Sequence, residues 1–573
     1  MATARDRRTE RARPAAPAGR AGRTGRAGRL AGALLAFAAG ATAWAQDSAG
    51  TAAPSAAGSP AAGLSAEAAL GSGLSLPGLG SPLGTVGAPR LSYGVRSELT
   101  LSDNLQHYRS DRARSDARLE VTPYLMASSE RPRARYQLSY QMRNFAYARD
   151  DRDQLFRHSL SGDGSFALAG DKLWVDVRAF MGSVAEDISG DLSDDPLSSF
   201  SNFSRYRTFT ISPWYQDRIG SLATYQLRYS HTRSSGSQSL NYAESNQSAS
   251  AIVDGIDRGT AWNWRWFGSF QRNDFRGGFE RDRRHSGMTV FYRVGHRLRL
   301  SGGLEYEQID GVRNDDGDDY GWGPSFGFDW NPNARLSLSA NIAERFYGTT
   351  GSARLAWTLA RSTLGMQYHR LMMSSADGSL LAMDPGAMTS NPIGQANTVI
   401  GDLLTRGILL PEGLRLSPSF LTDAAVLENR LTAFWALAGA GRSLTLSLYL
   451  SNRETSAAIP GLTTGGGIRG SAGLSSTGFS GEVEERGAVL SYQQSLGARS
   501  QLSASIARRY VESPTADFEN QLTTVQAGLS SQIDRGTTVF GGLRHSTQST
   551  RGRSTATPYD ENAIYGGVDF RFR

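Results

Sequence analysis

Apolar and polar residues alternate along most of this chain, from residue 91 to residue 573. In residues 172–181, for example, Leu173, Val175 and Val177 fall on one side when every second position is taken. An α-helix would scatter these residues around its axis, because a helix repeats every ~3.6 residues and a strand every two. The pattern therefore predicts a long series of β-strands, each with one apolar and one polar face.

The connections between these segments alternate between short turns and long polar loops. Short turns are predicted at residues 169–172, 294–297, 331–335 and 533–536, among others. Long loops are predicted at residues 103–114, 186–202, 235–244, 273–283, 310–320, 374–423, 454–482 and 547–560. Short turns on one rim and long loops on the other are typical of bacterial outer-membrane barrels, whose short turns face the periplasm.

We therefore predict an all-β fold for residues 90–573, a closed antiparallel transmembrane β-barrel of about 22 strands with short periplasmic turns and long extracellular loops. The alternative is a secreted all-β protein. A propeller or solenoid would repeat a sequence motif, and no fixed motif recurs here. A sandwich of two sheets gives no reason for alternating loop lengths. Tyr93, Tyr229 and Tyr292 are among the aromatic residues expected on the lipid-facing side, near the membrane interfaces.

The last segment, residues 561–573, is predicted to be the strand that closes the barrel. Gly567, Phe570 and Phe572 give it the form Gly-x-x-aromatic-x-aromatic. This resembles the terminal strand of bacterial outer-membrane barrels, which their assembly machinery recognises. The chain departs from that signal in ending on Arg573 rather than on the aromatic residue.

The N-terminal region is predicted to be a signal peptide over residues 1–45. Nine arginines precede an apolar stretch at residues 30–40, and Ala43-Trp44-Ala45 supplies a small-residue cleavage site. Residues 46–89 are rich in Ala, Gly, Ser and Pro and are predicted to be a flexible periplasmic linker. Such a composition cannot build the folded plug that a TonB-dependent transporter carries before its barrel.

Composition removes several classes of function. The chain has no cysteine, so neither a disulfide nor a thiolate metal site is possible. Its net charge is +7, but the arginines are spread over many short strands, so nucleic acid is not an expected partner. The seven histidines show no metal-ligand spacing and are expected to be solvated or at a rim. We predict no enzyme activity, no catalytic residues and no cofactor.

Two acidic loop segments, residues 187–195 and 314–319, offer oxygen ligands of the kind that Ca²⁺ prefers. The better candidates are Asp315, Asp316, Asp318 and Asp319. The spacing of an EF-hand is absent, so solvated acidic loops are the expectation and no metal site is predicted.

The polar faces of the strands are predicted to line the lumen. The pore-lining candidates are Arg135, Arg143, Arg178, Arg228, Arg265, Arg293, Arg299, Glu305, Glu307 and Arg335. A barrel of about 22 strands is too wide for side chains to fill, so water or an inserted segment must occupy it. Arginine predominates in this set, and a basic wall would favour anionic solutes or acidic polysaccharide.

The segment predicted to constrict the lumen is the long loop at residues 374–423. Residues 398–410 have helical spacing of apolar positions, and long loops with internal structure are usually functional. The constriction candidates are Leu403, Leu404, Asp402 and Arg406. The alternatives are a flap on the outer surface and an oligomer contact.

A family resemblance adds to this interpretation. The signal peptide, the linker and an opening strand that runs into L-T-L-S-D-N-L at residues 99–105 resemble the outer-membrane barrels associated with the PEP-CTERM/exosortase system. The motif that carries the likeness is Ser102-Asp103-Asn104. The resemblance implies a role in the envelope or in exopolysaccharide export, and it transfers no functional residues.

The predicted function is therefore an outer-membrane conduit for exopolysaccharide or another envelope component. The alternatives are a general diffusion porin, a non-conducting structural or assembly barrel, and, more remotely, an enzyme on the rim. The expected partners are outer-membrane lipid, lipopolysaccharide and the barrel-assembly machinery, with anionic polysaccharide as the candidate cargo. The expected location is the bacterial outer membrane, with the linker in the periplasm.

Overall fold

The computed structural model describes residues 89–149, 155–185, 189–192, 202–236, 243–256, 259–275, 279–313, 317–373, 426–455 and 482–572. These residues form a single closed antiparallel sheet of 22 strands. Each strand pairs with its neighbours in sequence, and β1 pairs with β22 from Tyr93↔Phe572 to Ser102↔Ala563. The predicted barrel, its strand number and the closing role of the last strand are confirmed. The predicted signal peptide and linker lie outside the described residues and stay predictions.

The strands are β1 Arg90–Ser102, β2 Asp116–Arg131, β3 Ala134–Tyr147, β4 Leu155–Ala169, β5 Leu173–Ala185, β6 Phe203–Ile219, β7 Ala223–Gly236, β8 Ala243–Gly255, β9 Trp262–Phe275, β10 Phe279–Val294, β11 Leu298–Ile309, β12 Tyr320–Asn333, β13 Leu336–Arg345, β14 Gly348–Thr358, β15 Ser362–Met373, β16 Val426–Gly439, β17 Arg442–Thr455, β18 Glu482–Ser495, β19 Ser500–Ser513, β20 Phe518–Gln532, β21 Thr537–Gly552 and β22 Tyr559–Phe572. A single 3₁₀ turn, Ser110–Arg112, lies between β1 and β2. In the described ranges no helix is long and apolar enough to cross a membrane.

The two faces of the wall differ as the alternation predicts. In β22, Ile564, Phe570 and Phe572 are exposed on the outside, whereas Glu561 and Asp569 are buried on the inside. The same division runs around the barrel, because antiparallel register places paired residues on the same face. The outer surface is thus an apolar band of the kind that faces lipid in outer-membrane barrels.

The two rims also differ. At the short-turn rim the chain reverses through glycines with positive φ, such as Gly170 (57°), Gly220 (54°) and Gly295 (67°). Residues with a Cβ rarely adopt this conformation, so glycine suits these turns. In another of these turns the backbone N–H of Gly536 donates a hydrogen bond of 2.8 Å to Asp534 and lowers the pKa of its carboxyl.

Two of the predicted long loops are wrong. β9 continues to Phe275 and β10 begins at Phe279, so most of residues 273–283 is strand. Likewise, β21 continues to Gly552 into the loop predicted at residues 547–560. The reason is that these strands extend past the apolar band, where both of their faces are polar. Arg272 and Asp282, for instance, form an ion pair of 2.7 Å across the β9–β10 ladder.

Candidate functional site

The inner wall of the barrel carries most of the predicted pore-lining residues, and acids accompany the arginines. Arg143 donates from Nε and Nη2 to both carboxylate oxygens of Glu120, at 2.7 Å each. Arg265–Asp254 and Arg299–Asp329 pair across neighbouring strands at 2.6 Å each, and Arg228 on β7 reaches over β6 to Asp176 on β5, also at 2.6 Å. Each of these arginines is thus paired with an acid on another strand, which the pattern within one strand cannot reveal.

A larger network lies on β10, β11 and β13. Glu305 receives a hydrogen bond from Arg345 at 2.6 Å, and its carboxylate lies 2.9 Å from His285 Nε2. On the same face, Glu307 accepts a hydrogen bond of 2.7 Å from Arg283 and lies 3.6 Å from Arg345. Both predicted glutamates therefore lie on the lumen wall as counter-charges to arginine.

A second network crosses β15 to β19. Glu428 lies 3.2 Å from His369 Nε2 and accepts a hydrogen bond of 2.9 Å from Arg453. Arg453 in turn lies 3.4 Å from Glu485, which accepts a hydrogen bond of 2.9 Å from Arg509. None of these residues was among the candidates. The available signal was weak: their acids and arginines occupy the polar phase of their strands.

These pairs change the electrostatic expectation. The lumen was expected to be a basic wall, but the carboxylates of the two networks and of the four separate pairs offset much of the arginine charge. Among the remaining candidates, Arg135, Arg178 and Arg293 lie on β3, β5 and β10. Arg335 was wrongly placed on the wall, because it lies in the turn between β12 and β13.

Two of the histidines are buried, so the expectation that they are solvated is wrong for both, and His369 on β15 is not in a rim loop either. His107 and His369 are 4% and 6% exposed. Each lies against a buried glutamate, His107 against Glu561 at 3.3 Å and His369 against Glu428 at 3.2 Å. The glutamate that contacts each histidine lies far away in the sequence, so the residues around the histidine could not indicate this contact.

Small hydroxyl side chains line part of the wall between the charged groups. On β6 and β7, Ser212 donates a hydrogen bond of 2.7 Å to Ser230. The hydroxyls of Thr210 and Thr232 are hydrogen-bonded at 2.8 Å. These side chains are short, so they keep the wall polar without reaching far into the lumen.

Inside the long-loop mouth, residues 189–192 of the β5–β6 connection dock on the opposite part of the wall. We call these residues the strap. Five strands (β4, β3, β2, β1 and β22) stand between β5 and β21 around the barrel, so the strap crosses inside the mouth. Leu192 is 4% exposed. It belongs to a cluster with inward-facing side chains of β18, β19, β20 and β22, namely Val483, Val511, Leu522 and Tyr559.

Hydrogen bonds hold the strap as well. Asp191 Oδ1 accepts one hydrogen bond from Gln548 Nε2 and one from the Thr557 backbone N–H, both 2.8 Å. The carbonyl oxygen of Ser189 accepts a hydrogen bond of 2.7 Å from Asn520 Nδ2. The sequence interpretation treated residues 187–195 as a solvated acidic loop, and for the strap this is wrong. Its buried polar groups are hydrogen-bonded to the wall and to the β21–β22 loop.

The Ser102-Asp103-Asn104 motif joins β1 to β22 at the same rim. Ser102 Oγ donates a hydrogen bond of 2.9 Å to Glu561. The Asp103 carboxylate accepts hydrogen bonds from the backbone and side-chain nitrogens of Asn562, at 2.7 Å each. Two residues of the motif therefore fasten the first strand to the last where the barrel closes.

Asn104 extends this clasp into the β1–β2 loop. It is fully buried, and its Nδ2 donates to the backbone oxygens of Tyr108 at 2.7 Å and Asp560 at 3.0 Å. The next buried residues of the loop are Leu105 and His107, and the His107 ring stacks on Tyr559 at 3.8 Å. Tyr559 also belongs to the Leu192 cluster, so the loop and the strap are joined through one buried cluster.

The predicted constriction, residues 374–423 with Leu403, Leu404, Asp402 and Arg406, lies outside the described residues. So do Asp315 and Asp316 of the candidate calcium loop. In the described ranges no group of three or more His, Asp or Glu side chains is arranged to hold a metal ion. In the same loop region, burial raises the pKa of the Asp310 carboxyl above its usual value.

Comparisons with known proteins give a low level of similarity. No protein-family model matches this chain, and no curated protein matches it. Among solved structures, the siderophore receptor PirA from Pseudomonas aeruginosa is 10% identical, with a TM-score of 0.42 over 84% of this chain and 80% of that one. The FrpB iron transporter from Neisseria meningitidis (F5-1 variant) is also 10% identical, with a TM-score of 0.44 over 84% of this chain and 82% of that one. At these values the likeness says nothing about what this barrel carries.

Proposed function

We propose that this protein is an outer-membrane conduit whose lumen passes a hydrophilic polymer of the envelope, with exopolysaccharide as the cargo class. One observation carries the proposal: a closed 22-stranded barrel has an apolar outer face and a polar inner face. At this strand number the interior is wider than the side chains of the wall can fill. A wide polar interior suits the passage of solutes through a bilayer.

The character of the wall favours a saccharide over a strongly charged cargo. Most of the named arginines have a carboxylate partner, as in Arg143–Glu120 and Arg228–Asp176. Paired charges and hydroxyls offer many weak hydrogen bonds, and passage through a pore requires contacts that form and break easily. The resemblance of the Ser102-Asp103-Asn104 region to exosortase-associated barrels supports the same cargo class.

A general diffusion porin is the second candidate, since balanced wall charges also suit unselective passage of small solutes. The two proposals differ in the size of solute admitted. A conduit passes oligosaccharides well above disaccharide size, whereas a diffusion porin excludes them.

Swelling of liposomes that contain the purified barrel separates these proposals. The probes are neutral dextran fractions of increasing length and matched dextran sulfate fractions. The conduit predicts uptake that falls gradually with length and shows little preference between neutral and anionic chains. A sharp cut-off at small sugars would favour the porin, and no uptake of any sugar would contradict both.

A further inference from the structure

Two tryptophans face each other on the inner wall close to the short-turn rim. Trp174 is the second residue of β5, and it pairs in register with Trp214 on β6. Trp214 pairs in turn with Arg228 on β7. Asp176 and Ser212 form the next inward pair. All these residues lie on the inner face, because they alternate with the lipid-facing residues of β5, Leu173 and Val175.

The indole rings form a platform. Their centroids are 5.6 Å apart and the planes are inclined by only 9°. The guanidinium of Arg228 lies 5.5 Å from the centre of the Trp214 ring, so one planar group follows another across three strands. Trp174 Nε1 donates a hydrogen bond of 3.1 Å to the backbone oxygen of Asp171, which fixes the orientation of its ring.

The residue of β4 next to Trp174 is small and leaves the side of that ring away from Trp214 uncovered. Trp174 pairs there with Ala167, whose methyl group is too short to cover an indole ring. Neither indole is fully buried, since both retain intermediate exposure. A flat ligand that enters from the short-turn rim can therefore pack against the Trp174 side of the platform.

Hydrogen-bonding groups stand directly beside the rings. Arg228 Nη1 donates a hydrogen bond of 2.6 Å to Asp176 Oδ2, and the two side chains are 12% and 18% exposed. A guanidinium has five N–H donors and a carboxylate about four acceptor positions, so this one bond leaves most of their capacity for a ligand. Vicinal hydroxyls of a sugar need donors and acceptors of this kind, side by side.

A membrane-interface girdle does not account for these rings. Girdle tryptophans face lipid, as Trp262 and Trp322 do with exposures of 61% and 65% on the outer surface. Trp174 and Trp214 face inward, where lipid does not reach. An aromatic platform beside a hydrogen-bonding ion pair matches the two halves of a pyranose, its apolar C–H face and its equatorial hydroxyls.

We propose that Trp174, Trp214 and the Asp176–Arg228 pair form a saccharide-binding station at the short-turn end of the lumen. The station takes one sugar unit of a glycan chain at the periplasmic entrance. It deepens the proposed conduit function and rests on it. In export, such a station would hold the leading end of the polymer in line with the lumen.

The test is current block in planar bilayers by maltohexaose, added to one side at a time. Wild-type channels should be blocked more strongly from the short-turn side. Trp174→Ala should weaken the apparent affinity about fivefold, because an aromatic contact contributes on the order of 1 kcal/mol and a tenfold change corresponds to ~1.4 kcal/mol. Trp214→Ala should weaken it as well, because Trp174 loses the ring on which it stacks. Trp214→Phe should retain most of the block, and the outward-facing Trp322→Ala is the matched control and should leave it unchanged.

Several outcomes would overturn the station. Equal block in wild type and Trp174→Ala, with normal heat-modifiable mobility, would show that the rings do not bind sugar. A channel that conducts but is never blocked would contradict the station and leave the conduit standing. If the wild type carries no current, the conduit fails, and calorimetric titration of the detergent-solubilised barrel with maltohexaose then decides whether the station binds.

Discussion

Replacing Asp191 with alanine should release the strap from the inner wall of the mouth. The carboxylate of Asp191 accepts hydrogen bonds from Gln548 Nε2 and from the backbone N–H of Thr557, both 2.8 Å. Asp191 is 9% exposed, so water does not readily replace it. The alanine variant therefore loses two charge-assisted bonds and leaves a buried amide and a buried N–H without that partner.

The size of the effect follows from those two bonds. A hydrogen bond to a charged group contributes ~1.5–3 kcal/mol, so the lower values sum to about 3 kcal/mol. Since a tenfold change in an equilibrium constant corresponds to ~1.4 kcal/mol, the strap should open roughly 100-fold more often. Leu192 leaves its apolar cluster in the same opening in both proteins, so its contribution cancels from this ratio.

Amide hydrogen exchange measures this opening directly. The backbone N–H of Leu192 donates a hydrogen bond of 3.0 Å to Gln548 Oε1, and its exchange reports release of the strap. Asp191→Ala should accelerate this exchange while amides of β10 and β11 keep their protection. The control is Asp111→Ala, because Asp111 lies in another loop of the same rim with a 71% exposed side chain. Unchanged exchange at Leu192 in the Asp191 variant would refute the docking of the strap on the inner wall.

Three further predictions concern the wall and its closure. Ile506 is 46% exposed on the lipid side of β19, so Ile506→Arg should lower the free energy of unfolding by roughly 2–4 kcal/mol. Ser505→Arg on the lumen side should cost much less, and equal losses in detergent unfolding would contradict this assignment of the two faces. Aspartate at both Phe570 and Phe572 should prevent assembly, because the two rings are outward-facing and about half exposed, and normal heat-modifiable mobility in outer-membrane fractions would speak against it. Asn104→Ala should destabilise the β1–β22 closure by about 1–3 kcal/mol, since the backbone oxygens that Asn104 contacts lose their donor; a urea midpoint equal to wild type would count against the clasp.

The fold could be predicted because one side of every strand must face lipid. Apolar residues must therefore recur at every second position, so Ile564 and Asp569 could be assigned to opposite faces from the sequence alone. The ends of the strands at the rims were harder to predict, because strands that extend past the membrane have no apolar face there. Arg272 and Asp282 are such a case, since they lie in strands at positions that were assigned to a loop.

The partners of the lumen charges could not be predicted in the same way. Arg143 meets Glu120, and Glu428 meets Arg453, only because of the register between strands, which no single strand encodes. The strap is a stronger example. Nothing in the polar sequence around Asp191 indicates burial. Its hydrogen-bond donors lie on β21 and in the β21–β22 loop, and the donor to the Ser189 carbonyl lies on β20.

Single-channel recording of the purified, heat-modifiable protein in planar bilayers tests most directly whether this barrel is a conduit. A water-filled lumen should give discrete current steps whose size rises in proportion to electrolyte conductivity. The channel should show little preference between anions and cations, because the wall charges are largely paired. Bilayers that stay silent although folded protein has inserted would contradict the conduit and favour a filled barrel with a structural role.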